Sequence, residues 1–386
     1  MIFANTASTF VGGGMAERMH LPCYFTYGIL QTGVAYPILS RWSWNQEGWL
    51  KAMGYSDVSG SGVIHLYSGA CGFVSAWVIG PRSGRFPSAQ GDPQGSSILP
   101  AHSLPLVNIG AMLLIFGFAG FNAASQLTIS HPGDGFVVAQ ATFNSFLACS
   151  SGGITSVLLS RFLPWFGHRS WNYGNLVNGS LAGMVAVCAG CGSLAPWAAF
   201  VTGSLGGLSF LCGRSIVDKL KVDDMLDSFA LHYSAGLVGL ITAPFLVPNG
   251  LLFKPDVASS KTLGVNLLGV LVITGWAVVW CLPLFLGLKQ LGVLRVPLET
   301  ESRGLDVTEH SGEIAYHLSD SEDADMDTSG RVSIPKDSLL EANRLLLDRL
   351  DCKDQQQLAI SMDVYMYSCR YNVNGQQWPN LCVTDE

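Results

Sequence analysis

An all-α integral membrane protein built on an internal inverted repeat is the fold class this sequence predicts, and three observations predict it. Charged residues make up only 13% of the 386-residue chain, 49% are hydrophobic, and mean hydropathy is +0.34; ordinary soluble domains carry roughly 25% charge. Long apolar segments recur between loops rich in Gly, Pro, Ser and charge. Two of those segments carry the same pattern, His-x3-Gly-x2-Gly, from His65 to Gly72 and from His232 to Gly239.

A helix crosses a bilayer with about 20 apolar residues, and residues 1–292 hold nine candidates: 2–16, 21–40, 61–80, 103–126, 137–160, 176–194, 196–213, 228–247 and 263–291. The first reads as a span and not as a cleavable signal, because no basic stretch leads into it and it runs into Ala16-Glu17-Arg18. The third holds His65 with Gly69 and Gly72, and the seventh holds Gly203, Gly206 and Gly207. Small residues at such positions let membrane helices approach closely. Seven of the ten cysteines, Cys23, Cys71, Cys149, Cys188, Cys191, Cys212 and Cys281, lie in or at the ends of these segments and read as packing residues. Cys188 and Cys191 have neither histidine nor carboxylate nearby, so no metal site, disulfide framework or cofactor is expected.

Loop charge sets the orientation. Alternate loops group Arg18, Arg82, Arg85, Arg161, Arg169, Arg214, Lys219 and Lys221 against Arg41, Lys51, Lys254 and Lys261. The more basic side is expected to be cytoplasmic, which puts the C-terminus in the cytoplasm of a multi-pass protein, with the plasma membrane as its location. Residues 293–386 form a separate acidic tail, with 18 acidic and 7 basic residues from position 297 on. It is expected to hang in water, apart from a short helical pattern at SLLEANRLLLDRL. No basic stripe suggests nucleic acid, and no Ser/His/Asp set, metal cluster or Gly-rich phosphate loop suggests an enzyme.

Chemistry concentrates at His65 and His232. Either alone could be a hydrogen-bonded packing residue. Two at matching places in a repeat point instead to a shared pathway, because ionisable groups inside a membrane are costly and face a pore or a partner. Inverted-repeat transporters place their site at the midplane between the halves, where the imidazoles would meet. An aspartate precedes each: Asp57 and Asp227. The latter is expected to cap or brace the start of its span.

With FANTASTFVGGGMAER, SDVSGSGVIH, FGFAGFNAAS, NGSLAGMVAV, DDMLDSFALH and GLDVTEHSGEIAY in this order, the chain resembles the ammonium transporter family, the Amt/MEP/Rh group, over roughly residues 1–316. It is closer to the Amt branch. The resemblance implies an all-helical trimer with a pore in each subunit, as a homotrimer or with full-length relatives, and ammonium, ammonia or the analogue methylammonium as substrate. It implies pore roles for His65 and His232, a structural role for Asp57, ammonium recruitment at Trp44, Ser125 and Phe3, and a phenyl gate of Phe3 and Phe121. Two further readings share the resemblance: a non-conducting ammonium sensor or regulatory subunit, and an Rh-like electroneutral ammonia channel. Relatives normally have eleven spans, so this chain is expected to begin at the third. Phe118 stands where the family motif has tryptophan, and Ala195 where an acid is usual. The family's tail motif corresponds to residues 304–316, and phosphate on Thr308 would set negative charge beside Asp306 and Glu309.

Overall fold

The computed structural model describes residues 2–86, 99, 103–166 and 171–309. Among them the regular structure is helical, apart from one isolated antiparallel bridge between Met19 and Arg295. Each of the nine predicted segments folds as helix. The chain runs through α1 (Ile2–Thr9), a tight turn over Phe10–Gly14, α2 (Leu21–Leu30), α3 (Tyr36–Trp44), the short α4 (Trp49–Met53), α5 (Tyr67–Ile79), α6 (Leu104–Ala124), α7 (Asp134–Phe162), α8 (Tyr173–Val187), α9 (Pro196–Lys219), α10 (Ala235–Leu246) and α11 (Val257–Gln290). It ends with α12 (Leu298–Arg303) and α13 (Leu305–Thr308). Among the described residues five stretches are long and apolar enough to cross a membrane by length and composition: Ser61–Ile79, α6, α9, Phe229–Leu246 and α11. Thr308 lies within the described residues, whereas His310 and the remainder of the tail lie outside them.

Three of the helices contain a wide turn of π type, at Gln31–Ala35 between α2 and α3, at Ser61–Leu66 leading into α5, and at Phe229–Ser234 leading into α10. Such turns disturb the regular i→i−4 ladder and recur at functional sites. A carbonyl at the first of them is taken up from outside: the indole Nε1–H of Trp276 donates to Ala35 O at 3.0 Å.

Close packing explains why α7 falls below the hydropathy of a simple span. It packs against α8 and α9 and buries Asn144, Ser145, Ser151, Ser156 and Ser160. Glycines let the backbones touch there: a Cβ on Gly183 would stand 2.1 Å from Ala148 O, and one on Gly207 2.2 Å from Gly152 O. The Ser156 hydroxyl donates to Gly207 O at 2.9 Å, one of the side-chain-to-backbone bonds that tie membrane helices together. In contrast, α6 turns Leu113 and Phe116 outward, 68% and 79% exposed, as suits contact with hydrocarbon.

One end of the bundle is fastened by charge. Arg18 is fully buried and donates to Gly14 O, Gly80 O and Asp223 O at 2.9, 2.8 and 2.7 Å. Burial pushes its guanidinium down to about 10, opposed by the nearby Asp223 charge. Arg82 grips both oxygens of Asp223 at 2.8 and 3.1 Å and reaches Glu17 at 2.7 Å. Burial would raise the Asp223 carboxyl, but the Arg82 bonds and the Arg18 charge outweigh it and hold the group below its ordinary range. Beside them Glu301 of α12 accepts from Arg295 Nη2 at 2.8 Å and from the Ser83 amide at 2.8 Å. The segment after the last long helix is thereby clasped to the loop after α5.

Candidate functional site

The two histidine-bearing turns face each other. His65 and His232 occupy the wide turns Ser61–Leu66 and Phe229–Ser234, and their Nδ1 atoms lie 3.2 Å apart. The rings are nearly parallel, 14° between planes and 5.2 Å between centroids. In a bond of this kind one Nδ1 carries the hydrogen and the other accepts it, which correlates the two tautomers. His65 is buried and its Nε2 has no protein partner among the described residues.

The glycines of the repeated motif make this approach possible, and they do so reciprocally. A Cβ on Gly69, four residues after His65, would stand 2.4 Å from Tyr233 N; one on Gly236, four after His232, would stand 2.3 Å from Ser61 O. Each glycine thus admits the backbone of the other repeat. Side chains at these positions would push the turns, and with them the imidazoles, apart.

The start of each histidine turn is held by a carboxylate. Asp57 accepts four backbone amides, from Gly60 and Ser61 through Oδ1 at 2.9 Å each and from Gly62 and Val63 through Oδ2 at 2.8 and 3.1 Å, and also the Tyr55 hydroxyl at 3.2 Å. It satisfies the free amides of a helix N-terminus and its charge suits the positive end of the dipole. Burial pushes this carboxyl above its ordinary range, while the amides of Val63, Gly62 and Gly60 pull it back.

In the second repeat the corresponding residue is Asp224, not Asp227. Asp224 precedes His232 by eight positions, as Asp57 precedes His65, and accepts the Phe229 amide at 2.7 Å. Asp227 matches Gly60 instead: both are five residues before their histidine and both have left-handed backbone, φ +55° and +96°. Asp is among the few non-glycine residues that tolerate this region. Its side chain accepts from Asn178 Nδ2 at 3.0 Å and faces Arg214 at 3.6 Å. The equal spacing of eight was the sequence signal for Asp224.

Aromatic rings line the approach to the pair. Phe10 stacks on His232 at 3.8 Å and lies 5.3 Å from the His65 ring. Phe118 and Phe121 stand 5.2 and 6.0 Å from His65. Phe3 contacts Phe121 edge-on at 4.7 Å and Trp44 at 5.7 Å, so Trp44, Phe3, Phe121 and His65 form a continuous run. The Trp44 indole N–H donates to Asp57 O at 2.7 Å, which fixes the ring. Ser125 follows Phe121 by one turn, its hydroxyl donating to Phe121 O at 2.9 Å and keeping its lone pairs. Phe10 was not singled out from sequence, since nothing in its local apolar context marks a contact with a residue more than two hundred positions away.

Cys188 donates to Asn122 Oδ1 at 3.1 Å, and Cys191 meets the Ser59 hydroxyl at 3.2 Å. Among the described residues no group of three or more His, Cys, Asp or Glu could hold a metal ion.

A multi-pass helical protein whose two repeats join their histidines in an aromatic-lined interior has the architecture of a membrane transporter or channel. The chain belongs to the ammonium transporter family, whose model matches residues 1–316. It is 37% identical over 339 residues to "Putative ammonium transporter 1" of Caenorhabditis elegans, covering 82% of this chain and 62% of that protein. With "Ammonium transporter 1 member 2" of Arabidopsis thaliana it shares 34% identity, covering 83% of this chain and 66% of the relative. The chain therefore spans less than two thirds of the length of both. Among solved structures, one described as "Sensor Amt Protein" matches with a TM-score of 0.72 and 29% identity, covering 80% of this chain and 75% of that one. Mep2 of Saccharomyces cerevisiae matches in fold, with a TM-score of 0.65, 24% identity, and 77% and 66% covered.

Proposed function

We propose that this protein conducts ammonium nitrogen across a plasma membrane, recruiting ammonium, releasing a proton from it and passing ammonia along the His65–His232 pair. The contact that carries this reading is the 3.2 Å bond between the histidines beneath the Phe3–Phe121 rings. An indole face attracts a small cation by about 0.5 to 2 kcal/mol, which suits Trp44 for recruitment, with Phe3 beside it and Ser125 accepting an N–H. A bare ion of this size then meets an apolar constriction, where its idealised burial cost is of order 20 kcal/mol. Neutral ammonia avoids that cost. Its lone pair and hydrogens match imidazole nitrogens that alternate as donor and acceptor. Asp57 acts structurally in this scheme, because five hydrogen bonds already occupy its carboxylate.

The working unit we propose is a trimer, of this chain or with longer relatives, with the tail on the cytoplasmic side and Thr308 as a site where phosphate closes neighbouring pores. The Thr308 hydroxyl is exposed among the described residues and donates to Gly304 O at 2.9 Å.

The decisive experiment is methylammonium and ammonium uptake by vesicles holding the purified chain. Uptake well above protein-free vesicles, lost in His65→Ala and His232→Ala, is expected. Absence of flux from an intact, correctly inserted assembly would favour the second reading, an ammonium sensor, to which the likeness to "Sensor Amt Protein" lends weight. Electroneutral flux would favour an Rh-like ammonia channel.

A further inference from the structure

The first helix brings a second phenyl ring to the histidines besides Phe3. Phe3, Ala7 and Phe10 recur at intervals of four and three, so they share one side of the helix, and α1 packs on the turn that holds His65. Phe10 follows Phe3 by two turns, about 10 Å further along the axis. Phe3 meets Phe121 and Trp44, whereas the Phe10 ring lies on the imidazoles themselves, 3.8 Å from His232 at 25° and 5.3 Å from His65 at 29°. The imidazoles are within 14° of parallel, so Phe10 covers one face of the pair, more closely at His232. Carbon atoms touch at about 3.5 to 4.0 Å, and no molecule fits between Phe10 and His232. A solute passing His232 on that side is left the ring edge, where the nitrogens lie.

The ring is also held in place. Ser228, one turn before His232, donates its hydroxyl to Phe10 O at 2.8 Å. The turn that follows Phe10 is packed backbone to neighbour: a Cβ on Gly13 would stand 2.4 Å from Ser228 Oγ, and one on Gly14 2.6 Å from Gly72 O. Gly72 belongs to the motif of His65 and Ser228 precedes that of His232, so the Phe10 backbone is fixed to both repeats. Between the two phenyls Ala7, wholly buried, contributes only a methyl group.

Resting on the conduction reading, we propose that Phe10 is a specificity-determining residue, whose ring bounds the path beside His232 so that ammonia passes readily and N-alkylated amines are held back. Phe3 and Phe121 act before the pair, against charge and hydration; Phe10 acts at the pair, against bulk. Passing a methyl group there requires Phe10 to shift off His232, against the Ser228 bond and the glycine-packed turn. One methylene in a close apolar site discriminates by about 10- to 200-fold. Methylammonium is therefore carried, but more slowly than ammonium.

The test compares initial uptake of ammonium and of methylammonium by vesicles holding the wild-type chain, Phe10→Ala or Phe10→Leu, with assembly and thermal unfolding checked on the same preparations. The expected result is a methylammonium-to-ammonium rate ratio about tenfold higher in Phe10→Ala, with a smaller rise in Phe10→Leu. Loss of packing alone would change both rates together, so a wild-type ratio in a variant that conducts would overturn the proposal. Phe10→Leu keeps most of the apolar volume and carries the test should the alanine variant not fold. If the wild-type chain carries neither amine, flux that appears in a Phe10 variant supports the proposal, because the ring is then the block. No flux from any of the three, all intact and inserted, overturns the conduction reading and this one with it.

Discussion

The glycine four residues after each histidine decides how near the histidines come. Gly236→Ala would drive a methyl group to 2.3 Å from Ser61 O, a backbone atom with little room to yield. Overpacking of this kind typically costs about 1 to 3 kcal/mol. The expected outcome is a lower unfolding temperature together with loss of ammonium uptake, read by thermal unfolding and vesicle flux on the same preparation. Asp224 offers a second residue-scale test. Burial raises its carboxyl to about 6, opposed by the Phe229 amide, so the folded chain binds more protons than the unfolded one, whose carboxyl titrates near roughly 3.9. Stability should therefore fall as pH rises from about 4 to 6, and Asp224→Asn should flatten that slope in unfolding experiments. Asp223 acts oppositely, but its contribution is lost only below the usual carboxylate range, outside this window. The histidines were legible because a repeated motif is visible in one sequence. Asp224 was passed over for Asp227, the nearer acid, although register from the histidine distinguishes them.

Helices read well from the sequence because apolar length is a property of the chain alone. All nine expected segments are helical, yet among the described residues only five stretches are long and apolar enough to cross a membrane. The rest fall short for physical reasons: α1, α2, α3 and α8 are too short as unbroken helices, while α7 turns several serines and Asn144 inward, which lowers its hydropathy while strengthening its packing. The wide turns at Gln31, Ser61 and Phe229 could not be read. They are shifts of backbone hydrogen bonding with no residue type of their own, stabilised by distant partners such as Trp276. At this scale the clasp on α12 makes a prediction. Glu301→Gln removes the charge that pairs with Arg295 while keeping acceptor capacity for the Ser83 amide. Freed of its partner, α12 should exchange its amide hydrogens at least about tenfold faster, which corresponds to 1.4 kcal/mol of local opening energy, measurable by hydrogen–deuterium exchange.

For the molecule as a whole, surface matters as much as interior. Large outward apolar faces, the exposed Leu113 and Phe116 of α6 among them, need hydrocarbon or another subunit against them. If neighbouring tails regulate one another, charge placed at Thr308 should act beyond its own subunit. Thr308→Asp is expected to reduce uptake several-fold, and to reduce it also when mixed with unaltered chains in one assembly. Unchanged uptake with normal assembly would remove the regulatory reading of the tail. Fold class and the pairing of His65 with His232 were thus open to a reading of the sequence; the aromatic contacts between the repeats were not, since they rest on pairs such as Phe10 and His232 that only the completed bundle brings together.

The reciprocal packing of the repeats also governs how the protein is made. His65 finds its partner 167 residues later in the chain, and a ribosome adding about 5 to 20 residues per second needs roughly 8 to 33 s to cover that interval. Throughout it, the notch at Gly69 lacks the Tyr233 backbone that fills it in the finished protein, and a polar imidazole waits at membrane depth. The seat for the second histidine turn is therefore made first and filled last.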